Sequence, residues 1–433
     1  MIGFMPGKDD EKDNFPRYEL KDGEDMSVFG DGVVFPARME NNNGNTLVLG
    51  VTGSGKTKSV VEPKILFTHN QSLVIPVAKR RLIKQYTSLL NEKGYEVIDL
   101  NLANPKDSSI GYDPMRTAKT EDDLLNLAAA IVGSNSRTMT GDTDPFWQES
   151  SAAVCSSLMG LSRFLNGKTS GFLDFMKLYK TLEFSFPNGH CHSNLDDAFA
   201  DMEFQLPDSQ APRLWRTICG CASRTASCIN SILTNALSRF CGSYGDALFS
   251  KRNMIDLSSL GRKKICLFIT TSNISEPCSR IVNLLFADLF KELFAEAERI
   301  GGSLKVPVHV CCDDFCGAGA RIAKFEEYIT IFREAGISCT ILLQSLSMLN
   351  AVYQDYGSAV IRENCDNLVY LGSNDLHTCK DISERACIPL EEVLAMKPGD
   401  EIFIRRGVGA KMIKRYKIFE DPLYLSTLDN MEK

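Results

Sequence analysis

The sequence predicts an α/β protein: a mostly parallel sheet covered by helices on both faces, with an all-helical block inserted into it. Three observations carry this expectation. Short apolar runs alternate with amphipathic segments toward both ends of the 433-residue chain, the pattern of parallel strands joined by crossover helices. The alternation stops between residues 115 and 255, where apolar residues recur at helical spacing. A glycine-rich stretch follows the first strong apolar run, where a strand would hand the chain to a helix.

Taken in order, "TLVLG" (46–50) reads as a strand, followed by a loop and a short helix. Pro63 lacks the N–H of an interior helical bond and is expected to kink or end that helix. "SLVIPV" (72–77) is a strand, "AKRRLIKQYTSLLNEKG" (78–94) an amphipathic helix stopped by Gly94, and "YEVIDL" (95–100) a strand. "FWQESSAAVCSSLMGLSRFL" and "LWRTICGCASRTASCINSILTNALSRF" have helical spacing. Alternation resumes with the strand "KKICLFIT" (263–270), a helix over 278–300, the strand in "VHVCCDD", and a helix around 320–335. The strand "ISCTILLQS" (337–345), another helix and the strand "NLVYLG" (367–372) follow. The expected division is a nucleotide-binding domain of residues 1–114 and 256–433, and an inserted all-α domain of residues 115–255.

Composition sets the class. An apolar content of 44% with 24% charged residues describes an ordinary globular protein. A net charge of −7 argues against a protein coating nucleic acid with its whole surface, while leaving room for a basic channel. No run approaches about 18 consecutive apolar residues, and the first residues carry no apolar signal core. These point to a soluble, cytoplasmic chain. The 15 cysteines sit mainly in apolar segments, as reduced thiols used as small hydrophobes. "GHCH" (189–192) and "CGC" (219–221) lack the paired spacing of a zinc site.

"GVTGSGKT" matches G-x-x-x-x-G-K-[ST] residue for residue. Gly50, Gly53 and Gly55 let the backbone turn so that the N–H groups of the loop, Thr52 and Ser54 included, face phosphate oxygens. Lys56 is expected to reach the β- and γ-phosphates of ATP, and the Thr57 hydroxyl to ligate Mg²⁺. The adjacent carboxylates Asp313 and Asp314, at the end of a buried strand, need a positive partner. In P-loop enzymes an Asp at the tip of a neighbouring strand holds the metal, so Asp313 is assigned to Mg²⁺ and Asp314 to the attacking water. The plain alternative is a pair of helix-capping aspartates.

The segments "VLGVTGSGKT", "GYDPM", "DPFWQESSAAV", "CCDDFCGAG", "FREAGISCTILLQSLSML", "YGSAVIRENCDNLVYLGSND" and "EEVLAMKPGDEIFIRRG" together resemble the type IV coupling proteins. These are the ATPases that link DNA or protein substrates to bacterial conjugation and type IV secretion. The resemblance implies a RecA-like core with an all-helical insertion, active as a homo-hexamer at the cytoplasmic face of the membrane. It implies single-stranded DNA, brought by a relaxase complex, and type IV secretion components at the inner membrane as partners. It also assigns Gln344 as a sensor of the γ-phosphate and Arg333, in "REAG", as a residue reaching the neighbouring subunit's nucleotide. The plain reading of Arg333 is a solvated cation at a helix C-terminus.

The sequence departs from the family in three places. Asp314 stands where Glu is usual, one methylene shorter. The second strand ends "IPVAKRR" instead of in an acid before proline and lysine. The family's N-terminal membrane helices are absent, so anchoring is expected through a partner unless those residues were left out. An ATP-driven motor is the leading function. The alternatives are a nucleotide-dependent docking receptor with little hydrolysis, another hexameric DNA translocase, and a small-molecule P-loop kinase. The last needs neither the insertion nor an arginine acting in trans. The basic clusters "AKRRLIK" (78–84), "GRKK" (261–264) and "RRGVGAKMIKR" (405–415) are candidates for a DNA path.

Overall fold

The computed structural model describes residues 23–133, 145–238, 240, 242–272, 276–313, 315–316 and 321–429. Strands β1 (Met26–Gly30) and β2 (Val33–Pro36) form an antiparallel hairpin. β3 (Thr46–Leu49), β4 (Ser72–Val77) and β5 (Glu96–Asn101) follow. The helical block then carries the two-residue strands β6 (Phe184–Ser185) and β7 (His192–Ser193). Beyond it come β8 (Ile265–Thr270), β9 (Val308–Cys312), β10 (Ile337–Leu343), β11 (Asn367–Tyr370), β12 (Asp400–Arg405) and β13 (Gly409–Lys414).

Among the described residues, nine strands make one sheet in the order β13-β12-β11-β3-β10-β9-β4-β8-β5. From β11 to β5 every pairing is parallel. β12 and β13 add an antiparallel edge that the alternation did not announce. Pro76 is accommodated in a central strand because β4 pairs with β9 only as far as Val74, so no ladder bond to that side is lost.

Alternate side chains of the central strands feed two cores. Leu47, Leu49 and Val74 enter one, with Leu289, Phe332 and Leu349 of the helices Glu276–Arg299, Phe325–Ala335 and Leu346–Glu363. Val48, Leu73 and Ile75 enter the other, with Ile65 and with Tyr86 and Leu90 of the helix Arg81–Glu92. Each fully buried Leu, Ile, Val or Phe contributes roughly 1.5–3 kcal/mol relative to exposure. These runs are apolar on both faces because helices cover both sides, as the sequence requires.

The first core continues without a break into the helical block, through Val154, Leu158, Phe172 and Leu233. The helix Pro145–Asn166 is its axis, buried from Ser150 to Ser162. Small residues line it, so neighbours approach closely: a Cβ on Gly160 would lie 2.7 Å from that of Ala211. The seam where the block begins, against the helix Glu276–Arg299, is polar as well. Tyr112 donates to Asp288, Lys119 pairs with Glu292 at 3.2 Å, and the Asp113 carboxylate accepts the N–H groups of Met115 and Phe172 at 2.9 and 3.1 Å.

Pro63 does not end its helix. Thr57–Val61 forms a π-helical turn in which the N–H of Glu62 reaches the Thr57 carbonyl, and Glu62–Leu66 continues as α-helix with Pro63 in its first turn. The wider turn absorbs the missing donor and relieves the ring's clash with the preceding turn.

Candidate nucleotide site

The site is built where three parallel strands end at one edge of the sheet. β3 hands the chain to the glycine-rich loop, β10 ends before Gln344, and β9 ends before Asp313. Leu49 is in register with Leu343, and the Gly50 N–H donates to the Leu343 carbonyl at 3.0 Å, which sets Gln344 beside the loop. The strand-end edge of a parallel sheet is the usual ligand crevice of such folds.

β10 lies between β3 and β9, so Asp313 is not on the neighbouring strand as expected. It ends the second strand over, about 10 Å away at the usual strand spacing. The exchange puts Gln344 between loop and carboxylate. Asp314 lies outside the described residues.

The loop has the shape its motif requires. Gly53 and Gly55 adopt φ of +80° and +86°, and a Cβ on Gly50 would meet Ser54 Oγ at 2.5 Å. Lys56 Nζ donates to the carbonyls of Gly50 at 2.6 Å and Val51 at 3.3 Å, folding over the loop. Ser54 Oγ is buried with no hydrogen-bond partner. Thr52 and Gly53 are exposed, and Thr57 opens the helix. The positive-φ turn, the lysine over it and an orphaned hydroxyl form a cradle that fits a phosphate chain. Thr57 and Asp313 are oxygen ligands of the type Mg²⁺ takes.

Arg333 sits elsewhere. It ends the helix Phe325–Ala335, which precedes the start of β10, and its guanidinium donates to the Glu40 carbonyl. The seven residues of β10 separate it from the strand-end edge by about 20 Å within the chain.

The basic clusters are mostly engaged within the chain. In 261–264, Arg262 pairs with Asp256 and Glu296, and Lys263 with Glu96. In 405–415, Arg405 is buried over the Phe35 ring at 4.0 Å, and Arg406 pairs with Asp366. In 78–84, Arg80 pairs with Asp99, while Lys79, Arg81 and Lys84 are exposed. "GHCH" and "CGC" meet: the Cys191 N–H donates to the Cys221 carbonyl at 3.0 Å, and Cys219 Sγ lies 3.6 Å from Asp196. Among the described residues, no three His, Cys, Asp or Glu side chains converge as metal ligands.

One residue at the loop escaped the sequence reading. Arg415, just past β13, donates through Nη1 to the Ser54 carbonyl, through Nη2 to Leu371 at 2.9 Å and through Nε to Asp400 at 3.1 Å. No spacing rule could find a partner so remote in sequence. Its only signal was membership of a basic cluster.

Residues 21–388 match the family described as type IV secretory system conjugative DNA transfer. The bacterial conjugative coupling protein TrwBdeltaN70, in its unbound monoclinic form, is 16% identical with a TM-score of 0.65, over 92% of this chain and 89% of that chain. The plasmid coupling protein TrwB in complex with ADP and Mg²⁺ matches at 16% identity and a TM-score of 0.66, over 92% and 89%. VirB4 of Thermoanaerobacter pseudethanolicus matches at 12% and 0.57, over 94% and 99%. A search of curated proteins finds no match. The structural likenesses establish the fold, a RecA-like core with an all-α domain. Among the described residues, no helix is long and apolar enough to cross a membrane. With the family match spanning most of the sequence, the chain belongs to the conjugative DNA transfer family of type IV secretory systems.

Proposed function

We propose that this chain is an ATP-hydrolysing coupling motor that recruits DNA, carried by a relaxase complex, and drives it into a type IV secretion machine. The convergence of the glycine-rich loop, Gln344 and Asp313 at one strand-end edge carries the reading. TrwB structures with ADP and Mg²⁺ and with a non-hydrolysable ATP analogue support the choice of nucleotide and metal.

In this reading, Lys56 exchanges its contacts with the Gly50 and Val51 carbonyls for the β- and γ-phosphates. Thr57 and Asp313 hold Mg²⁺, which when bound neutralises charge on the phosphate oxygens. Asp314 orients the attacking water and Gln344 senses the γ-phosphate. Arg333 stands too far from its own loop to serve it, which supports a role at a neighbouring subunit's nucleotide in a hexamer. Residues 115–255 form the inserted all-α domain, and residues 1–114 with 256–433 the motor core. Anchoring at the inner membrane runs through secretion partners.

The test is steady-state ATP hydrolysis with and without single-stranded DNA, alongside ATP binding. Wild type should hydrolyse ATP faster with DNA. Lys56→Ala should lose tight ATP binding, and Arg333→Ala should bind ATP normally and lose only ring-dependent hydrolysis, a step for which a trans arginine supplies roughly 10³–10⁵-fold. ATP binding without hydrolysis under any condition would favour the docking receptor, the reading to which Asp314 in place of Glu also points. Unchanged ATP affinity in Lys56→Ala would overturn the site itself.

A further inference from the structure

The chain beyond β13 forms a strap across the first turn of the loop helix. Arg415 ties its start to the loop through the Ser54 carbonyl. Tyr416 packs edge-on against Phe67, with ring centroids 6.0 Å apart, and its hydroxyl donates to Asp421. Asp421 in turn accepts the N–H groups of Leu423 and Tyr424 at 2.8 and 3.0 Å, capping the helix Pro422–Asp429. That helix is fastened to Arg81–Glu92 by the bond from Gln85 to Thr427 at 3.0 Å. The strap is held at both ends.

Between the fastenings it presents Phe419. Tyr424 beside it is 1% exposed and Phe419 is 63% exposed, although their rings meet edge to face at 5.6 Å. Both rings surround Lys58, whose Nζ lies 5.4 Å from the Phe419 centroid and 4.7 Å from that of Tyr424. Lys58 directly follows Thr57, and it is fixed by Glu62 at 2.8 Å and the Tyr424 hydroxyl at 2.8 Å. A large ring this exposed, on a strap this well anchored, is not explained by packing within the chain.

The loop's N–H groups hold the α- and β-phosphates while its lysine reaches the γ end. A phosphate chain in the loop lies at the N-terminus of the helix that Thr57 and Lys58 open, and the strap packs on that same turn through Phe419 and Tyr424. We infer that Phe419 is the stacking platform for the base of the bound nucleotide, with Lys58 held between the platform and the phosphates. The inference rests on the nucleotide-binding reading of the loop and adds a base subsite outside its motif. Stacking uses the π-face that every base has. Phe419 offers no hydrogen-bonding edge and Tyr424 is buried, with its hydroxyl oxygen accepting from Lys58, so adenine and guanine are held alike.

The test compares ATP, GTP and inorganic tripolyphosphate by calorimetry on the full chain and on Phe419→Ala and Phe419→Trp. Phe419→Ala should weaken ATP and GTP alike by about 10-fold and leave tripolyphosphate unchanged. Phe419→Trp should restore affinity, and its emission should be quenched by ATP but not by tripolyphosphate. The chain's own tryptophans, Trp147 and Trp215, lie in the helical block and supply a constant background. ATP affinity of Phe419→Ala within about twofold of wild type would overturn the subsite alone. Equal losses for ATP and tripolyphosphate would overturn it in favour of a strap that only shapes the loop. Wild type binding neither ligand would overturn the loop assignment and the subsite with it.

Discussion

Removing the Arg415 guanidinium tests whether the strap holds the loop in shape. The side chain donates to carbonyls of three segments that are remote in sequence, those of Ser54, Leu371 and Asp400. Burial lowers its pKa from the ordinary guanidinium value, opposed by the carboxylates of Glu401 and Asp400, and it stays charged. A hydrogen bond to a charged group is worth about 1.5–3 kcal/mol. The site is half-exposed and the freed carbonyls can take water, so about 1 kcal/mol per bond is the better figure. Arg415→Ala should then destabilise the chain by about 3 kcal/mol, a fall in Tm of about 3 °C for a protein of this size. The bond to Ser54 also orients the peptide leading into Gly55, and losing about 1.4 kcal/mol of that order weakens ATP by about 10-fold. Arg415→Lys keeps the charge but cannot span three carbonyls with a planar fork, so it should recover less than half of either loss. Thermal unfolding and calorimetric ATP titration read the two effects separately. Wild-type ATP affinity in a destabilised Arg415→Ala would refute the argument, leaving Arg415 as a staple of the β12–β13 hairpin alone.

Other perturbations separate the remaining roles. Asp313→Asn should weaken Mg²⁺-dependent ATP binding, whereas Asp314→Asn should bind Mg-ATP normally and hydrolyse it more slowly. Asp314→Glu should retain or raise the hydrolysis rate; loss of activity in the Glu variant with none in the Asn variant would make residue 314 a structural cap. Glu401 is buried in β12 with one carboxylate oxygen unpartnered, and burial raises its pKa to about 8, against a smaller opposing pull from Arg415. The folded chain thus keeps a proton that the unfolded chain releases between about pH 4.5 and 8, and stability must fall as pH rises through that window. Glu401→Gln should flatten that fall in denaturant titrations and be the more stable form at the alkaline end; an unchanged slope would place the titration elsewhere. Gly50→Ala sets a methyl 2.5 Å from Ser54 Oγ and 3.1 Å from Leu371 Cβ. It should cost about 1–3 kcal/mol in thermal unfolding as overpacking, and a neutral result would mean that the loop relaxes without strain.

Local signals determined much of this protein. The runs "SLVIPV" and "ISCTILLQS" name their strands within a residue or two, because strands buried on both faces need unbroken apolar sequence. Gly53, Gly55 and Lys56 announce the loop, because positive φ and a phosphate-seeking cation are demands on residue type. The helical block is visible in the change of apolar spacing alone. Tertiary structure decided the rest. Strand order is not a local property, so only the folded sheet could set β10 between β3 and β9 and bring Gln344 to the loop ahead of Asp313. The basic segment 405–415 read as a possible DNA path because a charge count cannot see partners. In the fold, Arg405 lies over Phe35, Arg406 meets Asp366, and Arg415 grips a loop carbonyl 361 residues away. Whether a cation faces solvent, a carboxylate or the backbone of the glycine-rich loop depends on which segments the sheet brings together, and that is fixed only when the chain has folded.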